Sequence, residues 1–195
     1  MALRPRILVL LLFTLALMAS VPAAFARGGS YSFEGGTGAQ RAQVEKALAA
    51  SSFDWSIVRN QVTIHIARNV DSHAAPGEIW LDSRLLDSGR FSWGVVQHEF
   101  AHQVDFFLLT QESRRELQRL LGAKAWCWET SGLEHADYGC ERFASTLAWA
   151  YWQNGDNCMK PASRRDESGG MAPAGFRATV ARLLNLPSLR QRSGR

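Results

Sequence analysis

The sequence is short of cysteine, of one-sided charge and of long apolar runs, and each shortage narrows what the chain can be. Three cysteines occur, Cys127, Cys140 and Cys158, all in the C-terminal half and none in C-x-x-C spacing. A separate cysteine-built zinc site is therefore not expected. In an oxidising compartment the arithmetic is one disulfide and one free thiol. Cys127 with Cys158 is the preferred pair, because Cys140 directly precedes a residue assigned below to a metal. Net charge is only +4, and the positive residues are scattered or terminal, as at Arg190, Arg192 and Arg195. With no basic stripe and no aromatic RNA-binding motif, nucleic acid is not an expected partner.

The one long apolar run, Ile7 to Met18, is too short to span a bilayer comfortably. Arg4 and Arg6 precede it and Ala24-Phe25-Ala26 follows, the small-x-small pattern of a cleaved signal peptide over residues 1–26. An uncleaved anchor is the alternative. Cleavage removes two arginines and no acid, lowering the net charge from +4 to +2. The remaining chain, from Arg27, has no second run able to cross a membrane. A secreted or extracytoplasmic protein without stable membrane insertion is expected, long enough for one compact domain.

Gly28 to Gly38 is glycine-rich, so residues 27–38 are expected to be flexible. Thr37-Gly38-Ala39-Gln40 has the form of a capping box, opening a helix to about Ala50 with Val44, Ala47 and Leu48 inward. Val62-Thr63-Ile64-His65-Ile66 alternates as a half-buried strand. His65 falls on its polar side and His73 in a polar stretch before the Pro76-Gly77 turn, so neither is expected to bind a ligand. Glu78-Ile79-Trp80-Leu81-Asp82 is a second strand, and Ser92 is placed to cap the helix that follows. Helices are also expected over Glu112–Leu121, Tyr138–Trp152 and Pro173–Leu184, with an irregular loop at Trp126–Gly139 and a mobile polar stretch at Pro161–Gly170.

What is present is His98-Glu99-Phe100-Ala101-His102. On a helix, histidines four apart lie on one face, a spacing that lets both imidazoles bind one Zn²⁺ with Glu99 beside the open position as general base. Chance produces H-E-x-x-H in roughly one chain in a hundred. Val96, Phe100, Val104 and Phe107 make this helix apolar nearly all round, which favours a buried metal site over a solvated face.

A catalytic zinc needs a third protein ligand, and the longer motif with a third histidine is absent: Asp105 and Leu108 stand at its positions. Glu129, Glu134, His135, Asp137 and Glu141 are the downstream candidates. Glu141 is favoured on packing grounds, because it shares a helix face with Ala144, Ser145 and Ala148, small residues that permit close approach. Phe143, Leu147 and Tyr151 anchor another side. Glu134 and Asp137 remain open as alternatives.

The run His98-Glu99-Phe100-Ala101-His102-Gln103-Val104-Asp105, followed by Glu141-Arg142-Phe143-Ala144 on a later helix, resembles the gluzincin metallopeptidases, most of all the lethal-factor type of catalytic domain. The resemblance covers about residues 77–152. It implies a zincin-like α+β fold over 39–186: a small mixed sheet, an edge substrate strand packed on the active-site helix, and a helical C-terminal part, with a basic tail at 187–195. It also implies zinc, one per chain, on His98, His102 and Glu141, with Glu99 activating water and the strand Glu78–Asp82 as the edge that receives an extended peptide. Tyr138 is the implied oxyanion donor, with His135 competing for that role. Many gluzincins carry an acid four residues after the glutamate ligand, where this chain has Ser145; Asp105 is a candidate for the task of fixing a histidine tautomer. The expected activity is zinc-dependent hydrolysis of peptide or protein substrates by a monomer. A zinc hydrolase of cell-wall peptide or another amide, and a zinc-bound interaction module without turnover, are the alternatives.

Overall fold

The computed structural model describes residues 29–127 and 129–186; the expected leader at 1–26 and tail at 187–195 lie outside the described residues. The elements run β1 (Tyr31–Gly35), α1 (Gly38–Ala50), β2 (Val62–Ala67), β3 (His73–Ala75), β4 (Glu78–Asp82), α2 (Ser83–Asp87), α3 (Ser92–Leu108), α4 (Gln111–Leu121), α5 (Gly139–Tyr151) and α6 (Pro173–Leu183). The sheet order is β1-β2-β4-β3, parallel except for the β3–β4 hairpin. This small mixed sheet with helices is compatible with the expected α+β class.

Alternation in β2 and β4 dictates the inner face. Val62, Ile64, Ile66, Ile79 and Leu81 are all buried, with Ile64 beside Ile79 and Ile66 beside Leu81 in parallel register. The capping box of α1 forms as its residues require. Thr37 Oγ1 accepts from the Gln40 amide at 3.3 Å, and the Gln40 side chain accepts from the Thr37 amide at 2.9 Å. Val44, Ala47 and Leu48 face inward. Beneath the sheet, α3 packs between α1 and α5. Phe100 fills the centre, with edge-on contacts to Trp55 at 5.5 Å and Tyr31 at 6.1 Å between ring centroids.

Several expectations change. Residues 27–38 are not a loose lead-in where they are described: Tyr31–Gly35 pairs with β2, placing Tyr31 and Phe33 against the core. The glycines serve the turn into α1, since Gly35 and Gly36 have φ of 70° and 65° and a Cβ on either would strike Ile66. The strand Glu78–Asp82 is not the edge, because β3 covers its outer side. The Pro76-Gly77 turn, with Gly77 at φ 81°, folds His73–Ala75 back as the true edge strand. Ser92 does not cap α3; its hydroxyl donates to the Gly89 carbonyl at 2.7 Å.

The C-terminal polar stretch is tied down. Asp166 accepts from the Ala162 and Ser163 amides and from the Ser163 hydroxyl. Arg142, buried on α5, reaches the carbonyls of Leu121, Ala136, Arg164 and Arg165. A cation there offsets the partial negative charge of four carbonyl oxygens and holds the segment over Glu167 in place.

Candidate metal centre

Two buried helices build the site. His98, Glu99 and His102 on α3 are only 6%, 5% and 7% exposed, and together they form a group able to hold a metal ion. The two Nε2 atoms stand 3.1 Å apart. From α5, Glu141 Oε2 lies 3.1 Å from His98 Nε2 and 3.3 Å from His102 Nε2. Tetrahedral coordination at a radius of about 2.0–2.1 Å puts ligand atoms about 3.3–3.4 Å apart. The triangle is thus the size that a small tetrahedral ion requires. Ala144, Ser145 and Ala148, all buried, let α5 come this close to α3.

The open side of the triangle is a cavity of about 430 Å³, walled by Ser72 just before β3, His73 and Ala74 on it, Phe106 of α3, and Thr130, Ser131, His135 and Tyr138 of the loop between α4 and α5. Glu99 lines its floor. Gln103, next to His102, latches the hairpin to α3. Its amide nitrogen donates to the carbonyls of Ala75 and Glu78 at 2.9 and 3.1 Å, and its oxygen accepts from Gly77 N at 2.9 Å. One helix therefore carries both the histidines of the candidate site and the support for the edge strand.

Electrostatics divide the two carboxylates. Burial raises the Glu99 carboxyl above its ordinary range, against the opposing pull of His98 and His102. Burial would raise Glu141 as well, but its hydrogen bonds with His102 and His98 dominate and hold its carboxyl far below the usual range. For His98, burial disfavours the cation, yet the hydrogen bond to Glu141 and the charges of Glu99, Glu141 and Glu167 leave its pKa raised in the metal-free protein. The arrangement is one firmly ionised carboxylate on the histidines and one carboxyl of heightened proton affinity beside them.

Of the other candidates, Asp137 is paired outward with Lys124 at 2.7 Å, Glu129 accepts from the Trp126 amide at 2.9 Å, and Glu134 is exposed beside a single-turn helix. None of the three lines the cavity. His135 does: its Nε2 is 3.3 Å from Glu141 Oε2 and its Nδ1 is 2.5 Å from Glu167 Oε1, with the ring largely exposed at the rim. Tyr138 lines the cavity, but its hydroxyl is engaged by its own loop, donating to Thr130 O at 3.2 Å and accepting from Leu133 N at 3.4 Å.

Asp105 does not touch the histidines. It accepts from Arg114 Nε at 2.7 Å and from Trp126 Nε1 at 3.1 Å, stapling α3 to α4 and the loop. Ser145 occupies the position expected of Asp105, with its Oγ 2.9 Å from His98 Nδ1. His65 stays off the site, stacked on the outward face of Trp80, whose other side carries His73.

The disulfide also differs from expectation. Cys127 and Cys140 stand at disulfide distance, with Cα atoms 5.5 Å apart, and Cys158 is free. Pairing next to Glu141 is allowed because Cys140 faces the loop containing Cys127, while Cys158 packs by Gly94 at the far end of α3. Such a pair is compatible with an extracellular protein, and no helix among the described residues is long and apolar enough to cross a membrane. Glu167 and Gln103 are site residues whose roles were missed in the sequence, and His73, read there as incidental, lines the cavity. Comparisons with protein-family models, curated proteins and solved structures give no match to this chain.

Proposed function

We propose that the chain is an exported, zincin-like zinc endopeptidase of the gluzincin type, with His98, His102 and Glu141 as ligands. The observation that carries this reading is the triangle of Nε2, Nε2 and Oε2 atoms open to a cavity that Glu99 also lines. A zinc ion on His98, His102 and Glu141 would supply Lewis acidity and lower the pKa of bound water. Glu99, its proton affinity raised by burial, takes the proton of the attacking water and passes it to the leaving amine. His135 at the rim would donate Nε2–H to the developing oxyanion once a metal takes Glu141 Oε2, its present partner at 3.3 Å, whereas the hydroxyl of Tyr138 is engaged by its own loop. The substrate is an extended peptide that adds to the free edge of β3, which borders the cavity and is pinned by Gln103.

The test is Glu99→Gln. One zinc per chain is expected in both wild type and variant, with turnover of an unstructured protein substrate reduced by roughly 10²–10⁴-fold, the contribution of a positioned base. Full activity with zinc retained would falsify the mechanism. Zinc without turnover in the wild type would favour the interaction module instead.

A further inference from the structure

We propose that Glu167 is a positioning residue that holds both walls of the metal centre through its two carboxylate oxygens. The inference rests on the zinc-site reading above but concerns a residue that reading does not use. Ser145 has one hydroxyl proton, and it goes to Glu167 Oε2 at 2.6 Å, since an ionised carboxylate only accepts. Ser145 Oγ must then accept from His98 Nδ1–H across 2.9 Å. That holds the His98 ring with Nδ1 as donor to Ser145 and with Nε2 as the nitrogen turned to His102 and Glu141. The other oxygen, Oε1, accepts from His135 Nδ1–H at 2.5 Å and sets that ring with Nε2 toward Glu141.

The mount is built for this. Glu167 opens the single-turn helix Glu167–Gly169, whose Ser168 is buried and donates to the Met159 carbonyl at 2.5 Å. Thr146 of α5 donates to the Glu167 carbonyl at 3.5 Å. Gly169 lies so near Ser163 O that a Cβ would collide with it. The acid that many gluzincins carry one turn after the ligand glutamate is here supplied from a distant segment, with Ser145 as the intervening link.

The test is a double-mutant cycle in the full chain. Glu167→Ala is expected to weaken zinc binding roughly 10–100-fold, the usual effect of removing an outer partner of a ligand. In a Ser145→Ala background the same change should add almost nothing to zinc affinity, and in a His135→Ala background almost nothing to kcat. Glu167→Gln can satisfy one partner only, because its amide nitrogen must face the other, so it should fall between wild type and Glu167→Ala. Additive effects in both backgrounds would mean a merely structural role and overturn the proposal, as would an unchanged zinc affinity. Nitrogen NMR of the metal-free protein reads the contact directly: His98 Nδ1 should carry a hydrogen-bonded proton in wild type and lose that bond in Glu167→Ala. A wild type that binds no zinc but keeps that signature would sink the peptidase reading and leave the positioning role standing. A His98 with no proton on Nδ1 in wild type would sink the latter.

Discussion

Replacing Glu141 with alanine tests the metal centre where the structure makes it most exposed to refutation. Zinc sites of four ligands bind with roughly 10–16 kcal/mol, about 2.5–4 kcal/mol per ligand. Deleting the Glu141 carboxylate, which lies within 3.3 Å of both histidine Nε2 atoms, should therefore weaken zinc by roughly 10²–10³-fold. The metal-free fold should tolerate the change, because Ala144, Ser145 and Ala148 supply the α3–α5 contact without it. Taking a buried carboxylate from its histidine partners costs up to about 3–5 kcal/mol, at about 2–4 °C in Tm per kcal/mol for a domain of this size. At a free zinc concentration of about a thousand times the wild-type Kd, zinc stabilises wild type by about 4 kcal/mol and the variant by only about 0.4–1.4 kcal/mol. Competition with a chromophoric chelator measures the first quantity, and melting with zinc or with chelator measures the second. Wild-type affinity in Glu141→Ala would refute the coordination set, because Glu99 is the other carboxylate grouped with the two histidines among the described residues.

Legibility followed the range of the interaction that fixes each element. β2 and β4 could be read because their alternation is local, and α1 because Thr37 and Gln40 cap each other three residues apart. The α3 motif and the small face of α5 were readable for the same reason: helix geometry alone brings His98 over His102 and lines up Glu141 with Ser145. β3 escaped because three residues show no period, and it exists only through its hairpin with β4. β1 was hidden by glycines that read as flexibility but provide the positive φ angles of a turn. Asp105 was drawn to the histidines by its spacing, but Arg114 and Trp126 approach it from other elements and outbid that geometry. Glu167 and the Cys127–Cys140 pair depend wholly on where the loops after α4 and α5 fall. No local rule carries that information.

Gly94→Ala should lower stability by about 1–3 kcal/mol through overpacking, since the new Cβ would run into Asn157 Oδ1 and stand 2.8 Å from Cys158 Sγ; thermal melting checks it. Asp105→Ala should cost about 2–3 kcal/mol in urea unfolding by leaving Arg114 and Trp126 without their shared acceptor, while zinc affinity stays unchanged. The pH dependence of the metal-free protein tests the His135–Glu167 contact. The hydrogen bond to Glu167 outweighs burial and raises His135 from 6.5 to about 9. A histidine raised on folding contributes stability that is complete below its unfolded value and lost as pH rises through the folded one. The contribution should therefore fade between about pH 6.5 and 9. On the acid side, burial of Glu167 is overcome by its bonds to His135 and Ser145, so its carboxyl is lowered and its contribution is lost as pH falls below the ordinary carboxylate range. Because the His135 side chain is 65% exposed, solvent screening should hold the effect to about 1 kcal/mol or less. His98 titrates with the same sign, so the difference between wild type and His135→Ala isolates the contribution of His135, through Glu167 first and Glu141 second. Urea midpoints of the two proteins should differ at pH 6 and converge near pH 9.5; a constant difference across that range would mean His135 is held by packing and not by its charge.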